Sequence, residues 1–99
     1  MESTAETLDR LCGCLSDPTR RQLFESLRRE PGMTTGQLAA VCPGLTRWAV
    51  MKHLAVLRDA GLLQTMPEGP RRRHYVQHGA LQPLIEWLEH HAGDRRSGL

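Results

Sequence analysis

The chain has few aromatic rings: one Phe, one Tyr and two Trp in 99 residues. Such scarcity leaves no stacking platform for single-stranded nucleic acid, which needs rings spaced along a groove. No apolar run approaches the ~20 residues of a membrane span. The opening Met-Glu-Ser-Thr-Ala-Glu is acidic and polar, unlike a secretory signal. Three cysteines, an odd number, argue against a disulfide framework and fit a reducing cytoplasm. There is no Gly-x-Ser-x-Gly, no glycine-rich phosphate loop and no Cys-x-x-Cys pair, so no enzymatic motif presents itself.

Length allows one domain, residues 1–99, because a second would have no core of its own. Net charge is only +2, but its distribution is uneven. Between Gly44 and Val76 stand Arg47, Lys52, Arg58, Arg71, Arg72 and Arg73 against Asp59 and Glu68, a local excess of +4. A basic segment on a near-neutral chain is the electrostatic footprint of a duplex binder, although a solvated basic face has the same composition.

The periodicity reads as helices followed by a hairpin and a last helix. The first helix is expected over Ala5 to Leu15, with Leu8, Leu11 and Leu15 on one face. Ser16-Asp17-Pro18 restarts the chain with a cap, an acid and a first-turn proline, opening a second helix over Pro18 to Arg29. A third is expected over Thr35 to Val41, and Cys42-Pro43-Gly44 breaks it. The fourth follows Thr46, a good N-cap, carries Val50, Leu54 and Leu57 at i, i+4 and i+7, and closes at Gly61. Leu62 to Met66 and Arg73 to Val76 read as strands around the turn residues Pro67-Glu68-Gly69-Pro70. The last helix is expected over Leu81 to His91, and 92–99 as a disordered tail beyond an ordered core of about 5–91. The order α1-α2-α3-α4-β1-β2-α5 is mostly α with a β-hairpin wing, a winged helix-turn-helix.

The runs Ser16-Asp17-Pro18-Thr19-Arg20 and Val50…His53-Leu54…Leu57-Arg58…Ala60-Gly61-Leu62, with the later Arg71-Arg72-Arg73-His74-Tyr75-Val76, resemble the ArsR/SmtB winged helix-turn-helix repressors over about residues 8–91. The subgroup without an obvious metal site is the most similar. The resemblance implies a homodimeric repressor that reads an inverted-repeat operator in double-stranded DNA. Its contacts would fall on Thr46, Arg47, Trp48, Met51, Lys52 and His53 of the fourth helix. Arg47 can bond guanine O6 and N7 together, while Trp48 and Met51 replace the small polar residues common in the family and would offer apolar contacts. Trp48 could instead pack against the third helix or the wing, and His53 could be a half-buried, hydrogen-bonded residue. Arg71, Arg72 and Arg73 alternate across a strand, so one or two would meet phosphate or the minor groove. Leu8, Leu11 and Leu15, with Leu84, Trp87 and Leu88, would form the dimer interface, or simply close the monomer core.

Cys12 and Cys14 look like a thiolate pair, yet i and i+2 lie about 200° apart on a helix, so sharing an ion needs a distorted end. Cys42 could add a third sulfur. The family's metal pattern is unmatched in Gly36-Gln37-Leu38-Ala39-Ala40-Val41-Cys42 and in the last helix, where Glu86, Glu89, His90 and His91 read as a solvated end. No cofactor is expected. Two alternatives stay open: a repressor switched by thiol oxidation, metal or metalloid at Cys12 and Cys14, and a winged-helix module binding protein through Trp48 and Met51.

Overall fold

A computed structural model describes residues 2–97, with side-chain surroundings for 2–93. Its order is α1 (Thr4–Leu15), α2 (Pro18–Arg29), α3 (Thr35–Ala40), α4 (Arg47–Asp59), β1 (Leu63–Glu68), β2 (Arg71–Val76) and α5 (Gln82–Ser97).

Local chemistry sets most helix ends. The Asp17 carboxylate accepts the backbone N–H groups of Thr19 at 2.8 Å and Arg20 at 3.1 Å, while Pro18 occupies the first turn. Those N–H bonds, Arg20's first, hold the Asp17 carboxyl below the usual carboxylate range. Thr34 and Gln37 form a reciprocal capping box at α3. At the end of α4, Gly61 stands at φ +83° and donates to the Arg58 carbonyl, and Leu62 donates to that of Leu57. This pair of bonds is a Schellman motif, and it buries Leu62 beside Leu57.

The core joins α1, α2, α3 and α4 through Leu11, Leu23, Leu27, Leu38, Val50, Leu54 and Leu57, with Leu62 and Leu63 entering from the start of the hairpin. Leu11 is only 1% exposed, so of the two roles open to it from the sequence, dimer contact or monomer core, it takes the core and has no surface to offer a second subunit.

The hairpin is longer than expected. β1 and β2 pair antiparallel from Leu63↔Val76 to Glu68↔Arg71, so the turn narrows to Gly69-Pro70, and Arg71 and Arg72 lie within a strand. Pro67 is tolerated because the sheet has two strands and β1 lacks a second neighbour. α5 also runs past its expected end near His91, continuing to Ser97; Gly93 alone costs about 1 kcal/mol of helix propensity and does not stop it. Gly98 and Leu99, the end of the expected tail, lie outside the described residues.

Candidate nucleic-acid interface

α4 buries Val50, Leu54 and Leu57 and turns its other side outward. Thr46 is its N-cap, its hydroxyl accepting the Ala49 N–H at 3.0 Å. Arg47 and Lys52 are exposed, as are Trp48 at 65% and Met51 at 53%. The Lys52 ammonium sits 4.3 Å from the centre of the Trp48 ring, an i, i+4 cation–π pair. So large an exposed ring is not part of the core, which favours the outward-facing reading of Trp48 over the packed one. His53 differs from its neighbours. It is half-buried, whereas Arg47, Trp48, Met51 and Lys52 are exposed.

The wing brings its arginines to α3 and α4. Arg47, Arg71 and Arg72 border one concavity with Thr34, Thr35, Gly36 and Gln37, about 380 Å³ in volume. No acidic residue lines it, and the nearest carboxylate to act on these arginines is Glu68, paired across the hairpin with Arg71. Three arginines at one hollow make a surface that attracts phosphate. Arg72 also borders a second concavity, with Met51, Leu54, Arg58, Thr35, Thr65 and His74, between α4 and the hairpin. The two hollows share Arg72 and Thr35 and so continue the surface from the start of α4 to the wing.

Arg73 behaves otherwise. Its Nε donates to Glu68 at 2.8 Å and its Nη1 to the Gly32 carbonyl at 2.8 Å. Gly32 donates in turn to the His74 carbonyl. It sits at φ +85°, and a Cβ there would stand 3.2 Å from the Tyr75 hydroxyl. Arg73 thus ties the hairpin to the turn after α2.

His74 was missed by the sequence reading. It is 2% exposed, with Nε2 2.9 Å from the Thr35 hydroxyl and Nδ1 2.9 Å from the Thr65 hydroxyl. Burial, then Arg58 and Arg72, push its pKa below the usual histidine value. Strand alternation was the available signal, since it sets His74 on the face shared by Arg72 and Val76; nothing local reveals the two threonines.

All three cysteines are free thiols. Cys12 is exposed, Cys14 and Cys42 are buried, and burial pushes both buried thiols up, away from thiolate. Among the described residues no group of three or more His, Cys, Asp and Glu is placed to hold a metal ion. No described helix is long and apolar enough to cross a membrane. On α5, Trp87 at 46% and Leu88 at 50% are exposed, while Leu84, and Leu8 and Leu15 of α1, are half-buried; Ile85, an apolar residue of α5 outside the set expected at the dimer contact, is 42% exposed.

Comparison with known proteins agrees with this geometry. The family model described as a helix-turn-helix domain matches residues 15–65. The chain is 38% identical over 82 residues to the HTH-type transcriptional regulator Rv2034 of Mycobacterium tuberculosis, covering 83% of this chain and 75% of that one. It is 28% identical to the HTH-type transcriptional regulator YgaV of Escherichia coli, over 90% of this chain and 89% of that one. Its fold superposes on the crystal structure of an ArsR family transcriptional regulator with TM-score 0.86 and 28% identity, covering 98% of both chains. An ArsR-like transcriptional regulator from Rhodococcus sp. RHA1 gives TM-score 0.80 and 29% identity, over 96% of this chain and 90% of that one. The chain therefore belongs to the ArsR-type winged helix-turn-helix proteins and is a DNA-binding transcriptional regulator.

Proposed function

We propose that the protein is a homodimeric repressor that binds an inverted-repeat operator through α4 and the wing. The observation that carries this reading is the meeting of Arg47, Arg71 and Arg72 in one hollow beside the exposed side of α4. A phosphate in that hollow would set the register of the duplex, and α4 would lie in the adjacent major groove with Trp48, Met51 and Lys52 toward base edges. Arg47 can serve either the phosphate or a guanine. Arg73, bonded to Glu68 and to the Gly32 carbonyl, acts on DNA only through the positions of its neighbours, half-buried His53 stands at the margin of the contact, and Thr46 acts first as the helix cap. Leu8, Leu15, Leu84, Trp87 and Leu88, with Ile85, would form the two-fold contact, spacing two copies of α4 about one DNA turn apart. The bound dimer would cover a promoter in the cytoplasm and carry out no catalysis. An effector would act by changing the tilt of the two copies.

Fluorescence anisotropy against the protein's own upstream DNA, beside a scrambled duplex at physiological salt, tests the reading. Tight binding with clear preference, weakening steeply with salt, is expected. Absence of binding even at low salt would transfer Trp48 and Met51 to a protein-binding role.

A further inference from the structure

A groove that shares no residue with the hollows beside α4 lies where α1, α2 and the start of α5 meet. Leu15, Phe24 and Leu81 line it together with Arg21, Glu25, Arg28 and Arg29, and its volume is about 500 Å³. That size is within the range of small-molecule sites, ~300–1,000 Å³. Its apolar floor is not closed over: Leu15 and Leu81 stay partly exposed, and both pack against the core.

The rim is basic. Arg21 Nη1 donates to the Leu15 carbonyl at 2.7 Å, which fixes one guanidinium beside the floor. Arg28 and Arg29 end α2, and among the described residues neither has an ion pair or a side-chain hydrogen bond. Glu25 is the one acidic neighbour against three arginines. DNA would satisfy the arginines but would leave Leu15, Phe24 and Leu81 uncovered. An apolar body with one carboxylate satisfies both parts, because guanidinium groups pair with carboxylates in fork geometry.

We propose that this groove binds a small amphipathic carboxylate, of the fatty-acid or arylalkanoate class. Its body lies on Leu15, Phe24 and Leu81, and its carboxylate reaches Arg28 and Arg29. This does not depend on how α4 meets DNA, but it shares Leu15 with the two-fold contact proposed above, so ligand and partner copy would meet at that side chain.

The test is titration of the full chain with decanoate below its micelle concentration, read by amide NMR shifts and by calorimetry. Saturable binding is expected, with shifts centred on Leu15, Phe24 and Leu81. The Arg28→Gln/Arg29→Gln double variant should bind about tenfold or more weakly, since a charge-assisted pair is removed at exposed helix positions that do not hold the fold. Leu81→Gln should cause a similar loss without altering charge. Decyltrimethylammonium should bind about tenfold more weakly than decanoate. The proposal is overturned by the absence of saturable shifts, by equal binding of the cation, or by indifference to the double variant. It is equally overturned if decanoate binds only when the dimer is broken, which would give the groove to a second copy of the chain.

Discussion

His74 Nε2 stands 2.9 Å from the Thr35 hydroxyl, joining β2 to the first turn of α3 across 39 positions of sequence. The other ring nitrogen holds Thr65 on β1, which also accepts from Arg58 Nη1 at 3.3 Å. One buried imidazole therefore fixes where the wing stands relative to the helix-turn-helix. Both neighbouring charges that act on it, Arg58 and Arg72, are positive.

That placement makes stability depend on pH in a definite direction. Burial and the two arginines lower the pKa of His74 in the fold, so a proton binds the unfolded chain better. The contribution is complete above the unfolded histidine pKa, about 6.5, and is lost as pH falls from there toward the lower folded value. Urea unfolding at a series of pH values should show wild type weakening below about 6.5. His74→Gln, which does not titrate, should unfold about 1–3 kcal/mol more easily at pH 7.5 and show a flatter profile. Parallel profiles for the two proteins would place the pH dependence elsewhere.

The three adjacent wing arginines should separate by experiment. Arg71→Ala and Arg72→Ala remove groups from the hollow shared with Arg47. Each should weaken binding to all sequences about equally and lower the salt slope by about 1, with little change in thermal stability. Arg73→Ala breaks the bonds to Glu68 and to the Gly32 carbonyl and should lower the melting temperature. Its effect on DNA should follow from a misplaced hairpin. Melting curves beside salt titrations of the three variants check this, and an unchanged melting temperature for Arg73→Ala would refute the anchoring role.

A dimer built on α5 should be breakable at its exposed apolar residues. Leu88 is 50% exposed in the protomer, and Ile85 and Trp87 beside it are 42% and 46% exposed. A charge placed among them would be desolvated in a two-fold contact and would meet its own copy nearby. Leu88→Glu should shift sedimentation from dimer to monomer, keep the helical circular dichroism, and weaken operator binding through loss of the second half-site. If the wild-type protein sediments as a monomer at micromolar concentration, the interface is not where these residues lie.

What could be read along the chain was what neighbours in sequence decide. Thr46, Asp17 and Gly61 act within a turn of their own positions, and the leucine spacing of α4 is periodic, so these elements were legible. Arg71, Arg72 and Arg73 were identical letters whose roles are set by α3 and the Gly32 turn, both distant in sequence. Leu11 looked like its neighbours Leu8 and Leu15, and only the packing of α2 and α4 around it makes it core. His74 was hidden for the same reason, because its partners Thr35 and Thr65 carry no local mark. The hairpin was underestimated because proline and glycine read as loop, whereas a two-stranded sheet leaves room for Pro67 within β1.

Trp48 offers the most direct probe of how α4 meets its target. Its ring is 65% exposed and its only ring contact among the described residues is the Lys52 ammonium. If α4 enters the major groove, both groups leave water together, the ring against base edges or thymine methyls and the ammonium toward phosphate or guanine. Trp87 also emits, so the measurement uses Trp87→Phe, leaving Trp48 as the single tryptophan. Saturating this protein with operator DNA should quench and shift the emission strongly, and scrambled duplex at low salt should change it less. Trp48→Ala should lose about tenfold in preference for the operator, the usual effect of one lost base contact, while its salt slope stays unchanged. Tight operator binding with unmoved Trp48 emission would mean that the duplex is read from another face of the molecule.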